Sequence, residues 1–139
     1  NGYISSAKKN AVKAIHNNVM KYIASEYTKC SIDDSDTIMK KGGAGGVSCD
    51  DGNIVAEDIT GHLSVEATSP IEDKNPYSTG NMAVEEGDSD TYSAGTITIT
   101  PTSDSLITIT TCFGNGKTDE PCTATADPNF TLKNTVTVE

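Results

Sequence analysis

Four cysteines, two histidines and one dense acidic run are the residues here whose types could support chemistry, and their spacing decides how much. Cys30, Cys49, Cys112 and Cys122 include no CxxC pair, and His16 and His62 lie far from all four in sequence. A zinc site is not expected, because such sites draw their ligands from closely spaced Cys and His pairs. An even number of cysteines in a small, loop-rich, acidic chain suits disulfides and an oxidising compartment. Of the three pairings, the local one is preferred, Cys30 with Cys49 and Cys112 with Cys122, since each bridge closes a loop full of turn residues.

The run EEGDSDTY sets Glu85, Asp88 and Asp90 close together, an alternating supply of oxygens that a hard cation such as calcium needs. The twelve-residue EF-hand pattern is absent, so a solvated acidic turn competes with the calcium reading. KKGGAGG has the composition of a phosphate loop but the wrong order. Lys40 and Lys41 precede the glycines and Val47, Ser48 and Cys49 follow them, which predicts a flexible turn instead. No serine sits in a nucleophile-elbow pattern and no triad or dyad can be assembled, so an enzyme is not expected. His16 reads as a packed or flanking helix residue and His62 as an exposed loop residue.

These residues need elements to position them. Ile4, Ala7, Ala11, Val12, Ile15, Val19, Ile23 and Tyr27 recur every three or four positions, which predicts an amphipathic helix over residues 1–28. Its first turns carry lysines where a helix start normally carries a cap and acids. Residues 29–80 are dense in Asp, Ser, Gly and Pro and read as a variable, disulfide-closed loop, with a short helix or strand around Ile54, Val55, Ile59, Leu63 and Val65. Residues 81–139 hold a short edge strand in NMAVEEG, then Ile97 and Ile99 alternating with threonines up to Pro101. A turn follows, then Ile107 and Ile109, and a last strand in FTLKNTVTVE. The fold class is α+β: one domain of 139 residues, a long N-terminal helix on a small antiparallel sheet of three to four strands. Val12, Ile15, Val19 and Ile23 are expected to pack on Ile97, Ile99, Ile107 and Ile109, because neither apolar face has another large partner.

Charge divides the chain in two. The net charge is −10, yet residues 1–30 carry about +4 from Lys8, Lys9, Lys13, Lys21 and Lys29 against Glu26, leaving about −14 on the remainder. A lysine-decorated solvent face is one reading; a face that meets acidic neighbours or anionic lipid headgroups is the other. Arginine is absent and no aromatics interleave with the lysines, so specific nucleic-acid binding is not expected. No apolar run is long enough for a membrane span or a signal peptide.

The segment NGYISSAKKNAVKAIHNNVMKYIASEY resembles the part of a type IV pilin that follows its apolar membrane segment. The order of helix, variable loop, antiparallel strands and a C-terminal cysteine pair bracketing a loop is also similar, and KNPYS resembles the Asn-Pro-Tyr turns of pilins and pseudopilins. The family's prepilin cleavage site, amino-terminal Phe, nearby Glu and apolar assembly helix are not in this sequence. The resemblance implies the soluble head of a longer pilin, structural rather than catalytic, extracellular on a cell-surface pilus after an inner-membrane stage. Its implied partners are copies of itself in a helical filament and the pilus assembly machinery, with the inner membrane reached only through the missing segment. Lys8, Lys9, Lys13 and Lys21 are then expected to face the acidic head of a neighbouring subunit. EEGDSDTY also resembles the calcium loops of some secretion pseudopilins, so a type II secretion pseudopilin is an alternative. A secreted adhesin or binding module that uses residues 114–126 for recognition is another.

Overall fold

After Gly2 the first thirty-two residues contain no further glycine and no proline, and alanine recurs along the exposed side, so nothing interrupts helix α1 (Gly2–Ile32, 31 residues) in the computed structural model. The structure describes residues 2–32, 37–49, 55–87, 93–115, 122 and 128–138. Helix α1 extends past the predicted end at residue 28, and Lys29 in its last turn suits the negative end of the helix dipole.

The middle of the chain is more regular than the predicted loop. Strands β1 (Thr37–Ile38) and β2 (Val47–Ser48) pair antiparallel. At the tip of this hairpin Lys41 and Ala44 exchange backbone hydrogen bonds of 3.0 and 3.1 Å, with Gly42 and Gly43 at φ 60° and 82° between them. Both central positions of that turn need a left-handed backbone, which is why the sequence places two glycines there. KKGGAGG is therefore the tip of a hairpin. Helix α2 (Ala56–Leu63) buries Ala56, Ile59, Thr60 and Leu63, a helical spacing that resolves the helix-or-strand ambiguity. Val55 offers no side-chain cap, and the Ala56 N–H instead donates to the Asp104 carbonyl at 2.8 Å. Strands β3 (Lys74–Asn75) and β4 (Ser78–Met82) form a second antiparallel pair.

The main sheet has the order β5 (Val84–Glu86), β6 (Ile97–Ser103), β7 (Leu106–Cys112), β8 (Thr131–Thr137), with a 3-10 turn at Pro128–Phe130 before the last strand. Strands β6, β7 and β8 are antiparallel as expected, but β5 lies parallel to β6, with Val84 opposite Ile97. Strand β6 therefore begins level with β5 instead of returning from it as a hairpin. Pro101 does not close β6, contrary to expectation. The strand continues through it to Ser103, with a register shift between the two. The Ile97 N–H and the Ile99 carbonyl both point to the β5 side, and by alternation so does the missing N–H of Pro101, beyond the end of β5.

All eight predicted core residues are buried, but they do not form one helix–sheet pairing. Helix α1 lies over β8 and β7, while α2 lies over β6 and β5. A helix is roughly 10–12 Å across and strands are about 4.8 Å apart, so one helix covers about two strands and a four-stranded sheet needs a second. Strand β7, with Ile107 and Ile109, thus lies between the two helices, and β6, with Ile97 and Ile99, lies chiefly beneath α2, all within one core. Ala7 and Ala11, predicted on the buried stripe, are exposed: the face that packs on the sheet is Val12, Ile15, His16, Val19 and Ile23.

Candidate functional site

The disulfides are Cys30–Cys49 and Cys112–Cys122, with Cα–Cα separations of 5.6 and 5.8 Å, in the predicted pairing. The first ties the last turns of α1 to the end of the β1–β2 hairpin. Nearby, Met39 is fully buried with a left-handed backbone at φ 57°. Its N–H donates to Glu26 Oε1 on α1 at 2.8 Å, and its carbonyl accepts from His62 Nε2 on α2 at 2.7 Å. His62, expected in an exposed loop, is thus the helical residue that links α2 to this junction. Glu26 also pairs with Lys29. Burial, and then the Glu26 carboxylate, push the Tyr22 phenol up to about 12.

The second disulfide anchors an aromatic end of the molecule. Cys112, Cys122 and Ala94 are buried together with Tyr77 and Phe130 packed against them. The Phe113 and Phe130 rings are 6.1 Å apart at 54°, and the Phe113 N–H donates to the Phe130 carbonyl at 2.8 Å. KNPYS supplies the fastening. Asn75 Oδ1 accepts from the Tyr77 N–H (2.8 Å), Asn75 Nδ2 donates to the Ala94 carbonyl (3.1 Å), and the Tyr77 hydroxyl donates to the Phe113 carbonyl (2.8 Å).

The N-terminal half of α1 rests on this end through cations. Lys13 Nζ stands 4.3 Å from the centroid of the Phe113 ring, and Lys8 Nζ stands 5.5 Å from that of Tyr77. Two of the four lysines predicted to face a neighbour are therefore turned onto their own head. Lys9 is half-buried and Lys21 exposed. Glu85 is exposed on β5, while Asp88 and Asp90 lie outside the described residues. Glu86, next to it, accepts a 2.6 Å hydrogen bond from the Thr60 hydroxyl and joins β5 to α2. Among the described residues no three His, Cys, Asp or Glu side chains converge as metal ligands. Most of the predicted recognition loop, residues 116–121 and 123–126, also lies outside them.

No family model, curated protein or solved structure matches this chain. Its chemistry is read from its own geometry. An open cleft of about 410 Å³ runs between Asn18, Val19 and Tyr22 of α1 and the segment 70–73. A neighbouring cleft of about 280 Å³ is lined by Lys41, Glu66, Ile71, Glu72, Lys74 and Met82. Its exposed ion pairs, Lys41–Glu72 at 3.7 Å and Lys74–Glu66 at 3.5 Å, contribute little. Neither lining places a nucleophile beside a base. No helix of the described residues is long and apolar enough to cross a membrane.

His16, read from the sequence as a packed or flanking helix residue, is packed. It is fully buried between α1 and the sheet, with Nδ1 2.8 Å from Thr111 Oγ1 on β7 and Nε2 2.7 Å from Asn134 Oδ1 on β8. The amide oxygen can only accept, so Nε2 carries the proton and donates to it, and Nδ1 accepts from the Thr111 hydroxyl. Burial holds this imidazole below its ordinary value, with the Asn134 hydrogen bond pulling weakly the other way. His16 lies four residues after Val12 and three before Val19, on the buried stripe itself.

Proposed function

We propose that the chain is a structural subunit of a type IV pilus-like filament, displayed on the cell surface and assembled with copies of itself by the pilus machinery. One observation carries the reading. Ala7, Ala11, Ala14, Asn18, Lys21 and Ser25 recur at alternating four- and three-residue steps along the side of α1 roughly opposite its buried stripe, and all six are exposed. Mostly small side chains at that spacing over several turns let a second helix approach closely. A helix of 31 residues, roughly 46 Å long, thus holds its own head on one side and offers a packing seam on the other. Two disulfides support an oxidising, extracellular setting. Lys9 and Lys21 remain available to meet the acidic body of the next subunit.

Replacing Ala14 by Trp tests the seam. The side chain points away from the head, so the stability of the isolated domain should stay within about 0.5 kcal/mol of the parent protein. Filament yield from producing cells, measured by shearing and electron microscopy, should collapse. Filaments formed in normal yield by Ala14→Trp would contradict the proposal.

A further inference from the structure

Helix α1 is fastened unevenly along its length. Towards its C-terminal end the Cys30–Cys49 bridge and the Glu26–Met39 hydrogen bond hold it to the hairpin, and Ile23 is fully buried. Its N-terminal half has no fully buried residue before Val12 among those whose side chains are described, and two lysine–ring contacts attach it there. Between the two halves stands His16, whose ring contributes a donor to β8 and an acceptor to β7.

We infer that His16 makes the N-terminal half of α1 an acid-released latch, docked on β7 and β8 while the imidazole is neutral and freed when it takes a second proton. A protonated ring carries two donors, so the Thr111 hydroxyl, itself fully buried, must turn from donor to acceptor to keep its bond to Nδ1. Among the described residues no carboxylate bonds the ring as a counter-ion for the new charge. On α1 the nearest charged groups are the cations Lys13 and Lys9. From β7, the ring meets Thr111; on β8, Asn134 bonds it, and Lys133 belongs to the opposite face of the sheet. Glu26 lies nearly three turns away at the disulfide-bound end. A buried cation without a carboxylate partner is disfavoured, and detaching the helix restores its water.

The sign follows from linkage. The docked ring binds its proton less readily than the ordinary imidazole value of 6.5, so docking is at full strength above that value and weakens as pH falls below it, levelling off at the depressed docked value. Release should leave both disulfides, α2 and the core of the sheet in place. The inference is independent of the filament proposal, since it concerns the isolated domain.

Hydrogen exchange at pH 7.5 and 5.0, expressed as protection factors against intrinsic rates, tests it on the whole chain. Protection in residues 2–20 should fall by up to about tenfold per pH unit below 6.5, with little change in residues 23–30. His16→Gln, which can still bond both partners without titrating, should remove that pH dependence. Uniform loss over α1, or the same dependence in His16→Gln, would overturn the inference. A His16→Gln chain that does not fold leaves an imidazole NMR titration of the parent to decide. Titration below 6.5 together with shifts in residues 2–20 supports the latch, and titration at or above 6.5 with α1 undisturbed overturns it.

Discussion

Gly95→Ala is expected to lower stability by roughly 2–5 kcal/mol. Gly95 has φ 81°, where an L side chain is strained by about 1–2 kcal/mol. The added Cβ would also stand 2.0 Å from Asn75 Oδ1 and 3.0 Å from Tyr77 Cδ2, far inside contact distance. Asn75 cannot simply turn aside. It is buried, and its amide holds the Tyr77 N–H, the Ala94 carbonyl and, at 3.3 Å, the Thr96 hydroxyl. Moving it leaves buried polar groups without partners, at about 1–3 kcal/mol. Urea denaturation checks this: the midpoint should fall with the slope unchanged, and Asn75→Ala combined with Gly95→Ala should cost less than the two single losses added, because the clash is shared.

Replacing Cys30 and Cys49 together by serine is expected to cost about 3 kcal/mol, the loop-closure entropy of a bridge spanning about 20 residues. The sequence separation is 19, and the closed segment contains the β1–β2 hairpin and Met39. The hairpin strands are two residues each, too short to stand alone, so the bridge, the Glu26 and His62 contacts and the burial of Ile38, Met39 and Val47 hold the segment down together. Left-handed Met39 adds a local cost that only this packing opposes. The damage should therefore be regional. Exchange protection should drop across residues 37–49 and the facing end of α1, while β6, β7 and β8 keep theirs. A midpoint that does not move on loss of the bridge would contradict the expectation.

How legible these features were in the residues depended on how local their causes are. Helix α1, the alternating strands β6, β7 and β8, and both disulfides follow from period, propensity and loop closure, each readable within a few tens of residues. Helix α2 carried the right spacing, but Gly61 and a length of eight residues left it ambiguous. The parallel seat of β5 was hidden because a three-residue strand has no pattern of its own and its register comes from its neighbour. The lysines misled for a similar reason. Lys8 and Lys13 meet rings at Tyr77 and Phe113, far along the chain, and only tertiary folding brings these together. Asn75 and Tyr77 announced a turn, while their bonds to Ala94 and Phe113 depend on partners the turn does not specify. Ala7 and Ala11 fit a three-or-four spacing with Val12 only when neighbouring rows are merged; the folded helix separates them into two faces, one exposed and one buried.

The claim that these two faces serve two partners is tested most directly by cryo-electron microscopy of surface filaments from cells that produce the chain. The account predicts this chain as the repeating subunit, its head outward and Ala7, Ala11 and Ala14 facing a neighbouring helix at an interaxial distance of about 8–10 Å. Filaments in which that side of α1 faces solvent, or that contain no copy of the chain, would contradict it.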